Sequence, residues 1–220
     1  RKGGILISKW GLDRSEHMKG STHLTYHLQN QDADIYSTNI KTVHGGYTFD
    51  ACINRMWLKG LRLNMGGTHN IENALVAIAI AKQLQIDDEK IRLAVDAFRG
   101  VKRRFEYVLS PANHPPIVYV DDYAHHPAEL EAVLKGARSL FPDRKITIIF
   151  QPHLYSRTRD LADAFADSLD LADEVILLPV YPARELPIPG ITSATILEKI
   201  KNKNKTILPK EDLLNWIKNE

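Results

Sequence analysis

Past Arg104 the chain alternates short apolar runs with helical patterns, and this alternation constrains the fold more than any other feature. Apolar runs at 117–120, 146–150 and 175–178 are separated by helical spacing at 127–140, 159–171 and 192–201. In the first helical segment Leu130, Val133, Leu134, Ala137 and Leu140 keep the i, i+3, i+4, i+7 rhythm of one helix face. Alternation of this kind builds right-handed βαβ units on a mostly parallel sheet. Residues 206–208 and a last helix over 212–218 would complete it. Ligands of such sheets bind beyond the carboxyl ends of the strands, so function is expected in the loops that follow the three runs.

Those loops are rich in chemistry. Asp121-Asp122-Tyr123-Ala124-His125-His126-Pro127 crowds two carboxylates, a phenol and two imidazoles onto one strand-to-helix turn. If the strand continues through them, Asp121 and Asp122 point to opposite faces, so one of the two faces a ligand. A carboxylate there can accept ribose hydroxyls, and Pro127 suits the first position of the next helix. Asp122, His125 and His126 could instead be metal ligands, although neighbouring imidazoles do not easily reach one ion. The second loop is Gln151-Pro152-His153-Leu154-Tyr155-Ser156-Arg157-Thr158-Arg159, and the third runs from Pro179 through Tyr181, Arg184 and Glu185 to Pro187. Three strand ends on one edge favour a convergent polar pocket. Packing of Tyr155, or an Arg184–Glu185 ion pair, is the purely structural alternative.

Before Arg104 the pattern is different. Residues 1–65 are strand-like and polar, with turn signals at Asn30-Gln31-Asp32 and Gly45-Gly46 and an alternating run over 47–53. A helix over 71–84 is apolar almost all round, which predicts heavy burial. A second helix presents Ile91, Ala94, Val95 and Phe98 and closes at Gly100. Gly66-Gly67 lead into the first helix, which Thr68 or Asn70 could cap. Asn70 and Asn73 share a face of its first turn, where paired amides suit an adenine edge or a neighbouring loop. Lys102-Arg103-Arg104 is either solvated charge or a phosphate clamp. The change of pattern predicts two domains, 1–106 and 107–220.

Composition narrows the partners. A net charge of +2 gives no electrostatic reason for nucleic acid or an anionic membrane, and no apolar run approaches the roughly 18 residues of a membrane span. The lone Cys52 rules out an internal disulfide framework and fits a reducing cytosol. The opening Arg1-Lys2-Gly3-Gly4 lacks an initiator Met and reads as the interior of a longer polypeptide, so a fragment is expected. No G-x-x-x-x-G-K-[ST] phosphate loop is present, and Lys19-Gly20-Ser21-Thr22 has the wrong order for one. If the chain handles ATP, the main phosphate cradle is elsewhere.

Four segments together resemble the Mur ligases of peptidoglycan synthesis. They are Gly67-Thr68-His69-Asn70-Ile71-Glu72-Asn73, Gly100-Val101-Lys102-Arg103-Arg104-Phe105-Glu106, Asp121 through Pro127, and Phe150-Gln151-Pro152-His153 with Tyr155-Ser156-Arg157-Thr158. The last is more similar to the family's alanine-adding branch than to its murein-peptide recycling branch, which shares the others. The resemblance implies the end of the central ATPase domain (1–106) followed by a Rossmann-like, mostly parallel C-terminal domain (107–220), in a cytoplasmic bacterial enzyme. It implies an ATP-dependent ligase that phosphorylates the lactyl carboxylate of UDP-N-acetylmuramate and lets the amine of L-alanine displace the phosphate. ATP and Mg²⁺ are its cofactors, the Mg²⁺ ligands and phosphate loop lying mostly outside this chain, which alone would be inactive.

Residue by residue, the resemblance implies that Asn70 and Asn73 hold adenine, Arg104 contacts the ATP phosphates and Asp122 holds the ribose. Tyr123 and His125 would lie where the C-terminal domain closes on the reacting centre, with Arg104 and His125 as catalytic residues. Arg157, with His153 beside it, would bind the alanine carboxylate. Leu154 stands where the family often has a basic residue. A murein-peptide ligase, a binding module without catalysis and a metal-dependent hydrolase on Asp122, His125 and His126 are the competing readings.

Overall fold

The structure is a computed structural model that describes residues 4–12, 22–109 and 117–219; Arg1–Gly3 and Lys19–Ser21, singled out above, lie outside them. It divides into two compact units that part between Asp122 and Tyr123.

The first unit carries a five-stranded sheet in the order β1-β2-β3-β4-β5, with β1 Ile5–Lys9, β2 Thr22–Tyr26, β3 Ile35–Val43, β4 Gly46–Ile53 and β5 Met56–Leu63. The first three strands pair in parallel and the last three antiparallel. His44 and Gly45, at φ 48 and 79, turn the β3–β4 hairpin. Asn54 and Arg55, at φ 48 and 68, turn the next without a glycine. Helix α1 (Thr68–Gln83) packs on β3 and β4 through Ile71, Leu75, Ile78 and Ala79. Its burial is one-sided, since Ile80 remains 48% exposed. Helix α2 (Asp88–Ala97) begins at Asp87, whose carboxylate accepts the Glu89 and Lys90 amides. It stops at Ala97 rather than reaching Gly100.

Strands β6 (Glu106–Leu109) and β7 (Tyr119–Asp121) form a separate antiparallel ribbon. The run at 117–120, expected to open the parallel sheet, therefore pairs with β6 instead. Its exposure explains the difference: Ile117 is 62% and Tyr119 50% exposed, whereas a parallel strand is buried on both faces. The ribbon stays with the first unit because Phe105 is buried against Gly66 and the Tyr107 hydroxyl donates to the Gly45 carbonyl at 2.5 Å.

The second unit is an α/β arrangement of helices around a parallel sheet. Its parallel sheet runs β10-β9-β8, with β8 Thr147–Phe150, β9 Glu174–Leu177 and β10 Lys205–Ile207. Val175, Ile176 and Leu177 on central β9 are fully buried, as a strand covered on both faces requires. Around it lie α3 (Pro127–Leu140), α4 (Tyr155–Asp160), α5 (Ala162–Leu169), α6 (Ala194–Leu197) and α7 (Leu213–Asn219). Leu130, Leu134, Phe165, Leu169 and Ile196 close the core with Phe150 and Val175. The helix expected over 159–171 starts earlier and breaks at Leu161, whose φ of −116 ends α4 and begins α5. The chain is thus a mixed α/β protein with a parallel sheet in its second unit. No helix among the described residues is long and apolar enough to cross a membrane.

Candidate functional site

In the first unit, three of the singled-out segments meet around one phenyl ring. Gly67, at φ 84, precedes α1, and the His69 ring folds over it: a Cβ there would lie 2.5 Å from the His69 Cε1. Neither Thr68 nor Asn70 caps the helix. Asn70 instead donates from Nδ2 to the Gly66 carbonyl at 2.7 Å, and Asn73 donates to the Asn70 Oδ1 at 3.4 Å. The two amides therefore stand linked at the head of the helix, as their spacing predicts. The Phe105 ring packs so closely on Gly66 that no side chain fits there.

Phe105 also orders the basic segment. Residues 101–104 form a tight turn, in which the Arg104 N–H donates to the Val101 carbonyl at 3.1 Å. Arg103 and Phe105 sit at φ 58 and 48, and Arg104 is exposed between them. Asp122 fastens the turn, its Oδ2 accepting the Phe105 N–H at 2.7 Å. Asn70, Asn73, Arg104 and Asp122, far apart in sequence, are thus joined through Gly66 and Phe105. Two phenols lie nearby, Tyr47 buried and Tyr107 half-buried. Burial pushes the Tyr47 and Tyr107 hydroxyls up, which keeps both neutral.

In the second unit, Tyr123, His125 and Arg157 come together. The Tyr123 and His125 rings stand 5.1 Å apart, and the Arg157 Nη1 reaches the His125 carbonyl at 3.4 Å. Glu129 organises the turn. Its Oε2 accepts the His125 and His126 amides at 2.9 and 3.1 Å, and these bonds hold its carboxyl below the usual range, the His125 amide first. His126 completes the capping box by accepting the Ala128 amide through Nδ1. The His125 Nδ1 faces two acceptors, the Tyr123 carbonyl at 3.0 Å and Glu129 at 3.3 Å. Two acceptors around Nδ1 favour the tautomer that donates from it and leaves Nε2 as an acceptor.

His153 belongs to the neighbouring strand end. Its ring stacks on Tyr181 at 5.5 Å, and its buried Nδ1 has no partner among the described residues. Glu185 does not pair with Arg184; it accepts the Ser156 amide and hydroxyl at 3.0 and 2.5 Å. Among the described residues no group of three or more His, Cys, Asp or Glu is placed to hold a metal ion. His126 engages its Nδ1 in capping, and Asp122, His125 and His126 do not form such a group.

The organising residues Gly66, Phe105 and Glu185 were not singled out for these roles from the sequence. Glu129, three positions after His126, could have been found by its capping-box spacing.

Two family models match the chain: the Mur ligase middle domain over 8–81 and the Mur ligase glutamate ligase domain over 103–219. The chain is 47% identical over 189 residues to a UDP-N-acetylmuramate-L-alanine ligase of Flavobacterium johnsoniae, covering 86% of the chain and 41% of that protein. A ligase of the same name from Porphyromonas gingivalis is 41% identical over 99% of the chain and 47% of its own length. The chain thus spans less than half of these curated relatives. Among solved structures it is similar to the UDP-N-acetylmuramate-alanine ligase MurC of Thermotoga maritima. That match has a TM-score of 0.73 and 27% identity, covering 97% of the chain and 45% of that protein. MurF of Acinetobacter baumannii, 18% identical over 98% of the chain and 46% of its own length, shares the fold at a TM-score of 0.69. With one model matching its first part and another its second, the chain belongs to the Mur ligase family.

Proposed function

We propose that the chain is the C-terminal part of an ATP-dependent ligase that joins L-alanine to UDP-N-acetylmuramate in the bacterial cytoplasm. Residues 1–106 would be the end of its central ATPase domain and 107–220 its Rossmann-like C-terminal domain. The observation that carries this reading is the identity of 41–47% to ligases of that name across most of the chain.

The chemistry agrees with the residue types. A phosphoryl group passes from ATP to the lactyl carboxylate and ADP leaves; the L-alanine nitrogen then attacks the acyl carbon, phosphate leaves, and the nitrogen sheds a proton. Such transfers need positioning and charge stabilisation more than covalent help. The linked amides of Asn70 and Asn73 offer donors and acceptors to adenine. Arg104, exposed on its tight turn, supplies a fork for phosphate. The Asp122 carboxylate, held beside the basic turn by the Phe105 amide, would take a ribose hydroxyl. Mg²⁺ would accompany the ATP, its ligands supplied mostly by residues outside this chain.

In the second unit Arg157 and His153 would bind the amino-acid carboxylate, and Tyr123 would flank His125. With its Nδ1–H turned to the Tyr123 carbonyl, His125 presents Nε2 as the acceptor for the proton that the amine gives up. Phosphate release by the full-length protein tests the proposal. Release that needs ATP, UDP-N-acetylmuramate and L-alanine together supports it. No release with all three present, or release that L-alanine does not stimulate but a murein peptide does, sinks it.

A further inference from the structure

Leu154 stands at φ 72 and ψ 133 at the head of α4, a backbone region that side chains rarely adopt and that is entered here without glycine. Such a conformation persists only where its surroundings over-determine it. The loop after β9 does so. The Leu154 N–H donates to the Tyr181 carbonyl at 2.9 Å, and the Tyr181 N–H donates to the Pro152 carbonyl at 2.8 Å. This short parallel bridge brings the Tyr181 ring onto the His153 ring, the planes inclined by 27°. On the other side of Leu154, Glu185 takes both the amide and the hydroxyl of Ser156. The loop therefore grips the segment on either side of its strained residue.

His153 needs such a grip. Its Nδ1 is buried with no partner among the described residues, so no hydrogen bond through that nitrogen sets the ring's angle. A buried nitrogen in that state costs free energy until a hydrogen-bonding partner satisfies it. Arg157 lies one residue beyond Ser156, within the first turn of α4 that Glu185 anchors.

We propose that Tyr181 and Glu185 are positioning residues for the amino-acid carboxylate. Tyr181 sets the plane of the His153 ring, and Glu185 sets the turn from which Arg157 projects. This rests on the reading of His153 and Arg157 as the carboxylate-binding pair.

The test uses the full-length protein and the variants Tyr181→Ala, Tyr181→Phe, Glu185→Ala and Glu185→Gln. Both alanine variants should raise the KM for L-alanine about tenfold or more and leave the KM for ATP within about twofold. Phe keeps the ring and Gln keeps an acceptor for Ser156, so both should restore most of the loss. An unchanged KM for L-alanine in both alanine variants, or an equal rise for all three substrates, overturns the proposal. Histidine-labelled NMR spectra supply a readout that needs no turnover. Tyr181→Ala should move the His153 ring signals while Tyr181→Phe leaves them in place, and unmoved signals in Tyr181→Ala overturn the positioning role. A wild-type protein without L-alanine-dependent phosphate release would refute the proposed function instead, with the spectra still deciding on Tyr181.

Discussion

Gly66→Ala should disturb the Asn70–Arg104–Asp122 cluster through a single contact. An ideal Cβ on Gly66 would lie 2.2 Å from Cε1, 2.4 Å from Cδ1 and 2.7 Å from Cζ of Phe105. The ring is 3% exposed and its backbone is tied to Asp122, so it cannot swing into solvent without losing burial and straining the turn. Gly66 is not among the positive-φ glycines, so the effect is steric rather than a backbone penalty. Overpacking of this kind costs about 1–3 kcal/mol. Hydrogen exchange in the full-length protein, read at the first turn of α1 and at the Phe105 amide, should accelerate about 5- to 150-fold if that cost falls on local opening. Phe105→Leu removes the clashing ring, so the double variant should lose about 1 kcal/mol less than the sum of the singles. Unchanged exchange in Gly66→Ala, or strict additivity in the pair, would refute the contact as the link.

Three further outcomes follow from the same geometry. Asp122→Ala leaves the Phe105 N–H without its acceptor and should cost about 1–3 kcal/mol in local stability, while Asp122→Asn, which keeps a carbonyl oxygen, should lose less; exchange at the Phe105 amide measures both. Glu129 has a lowered folded-state pKa, so its contribution is complete above the ordinary glutamate value of about 4.3 and is lost as pH falls through the lower folded value. Glu129→Gln should therefore flatten the pH dependence of stability between those two values, and superimposable pH curves would count against the capping role. Arg157→Lys keeps the charge but loses the planar fork, and should raise the KM for L-alanine about 10- to 100-fold with ATP unaffected.

Much of the second unit was legible because its signals are local. The i, i+3, i+4, i+7 rhythm and Pro127 mark α3 to its ends, and the apolar runs mark β8 and β9. Where pairing depends on partners distant in sequence, the reading failed. The run at 117–120 has a strand's composition, but its pairing with β6 is set by Phe105 and Tyr107 docking on the first unit. The break at Leu161 has no Gly or Pro to announce it, and the entry into α4 is held by Tyr181 and Glu185 from another loop. The hairpin at Asn54-Arg55 was missed because Arg rarely adopts a positive φ. For the candidate site, it was the family resemblance, not residue types alone, that grouped Asn70, Asn73, Arg104 and Asp122. The ring that joins them and the orphaned nitrogen of His153 needed three dimensions.

The central claim, that this is the C-terminal part of an L-alanine-adding ligase, meets its most direct test in the mass of the product. Full-length protein given ATP, UDP-N-acetylmuramate and a mixture of L-alanine with a murein peptide should yield UDP-N-acetylmuramate enlarged by one alanine residue. A product carrying the intact peptide, or no product while ATP binds normally, would contradict the account.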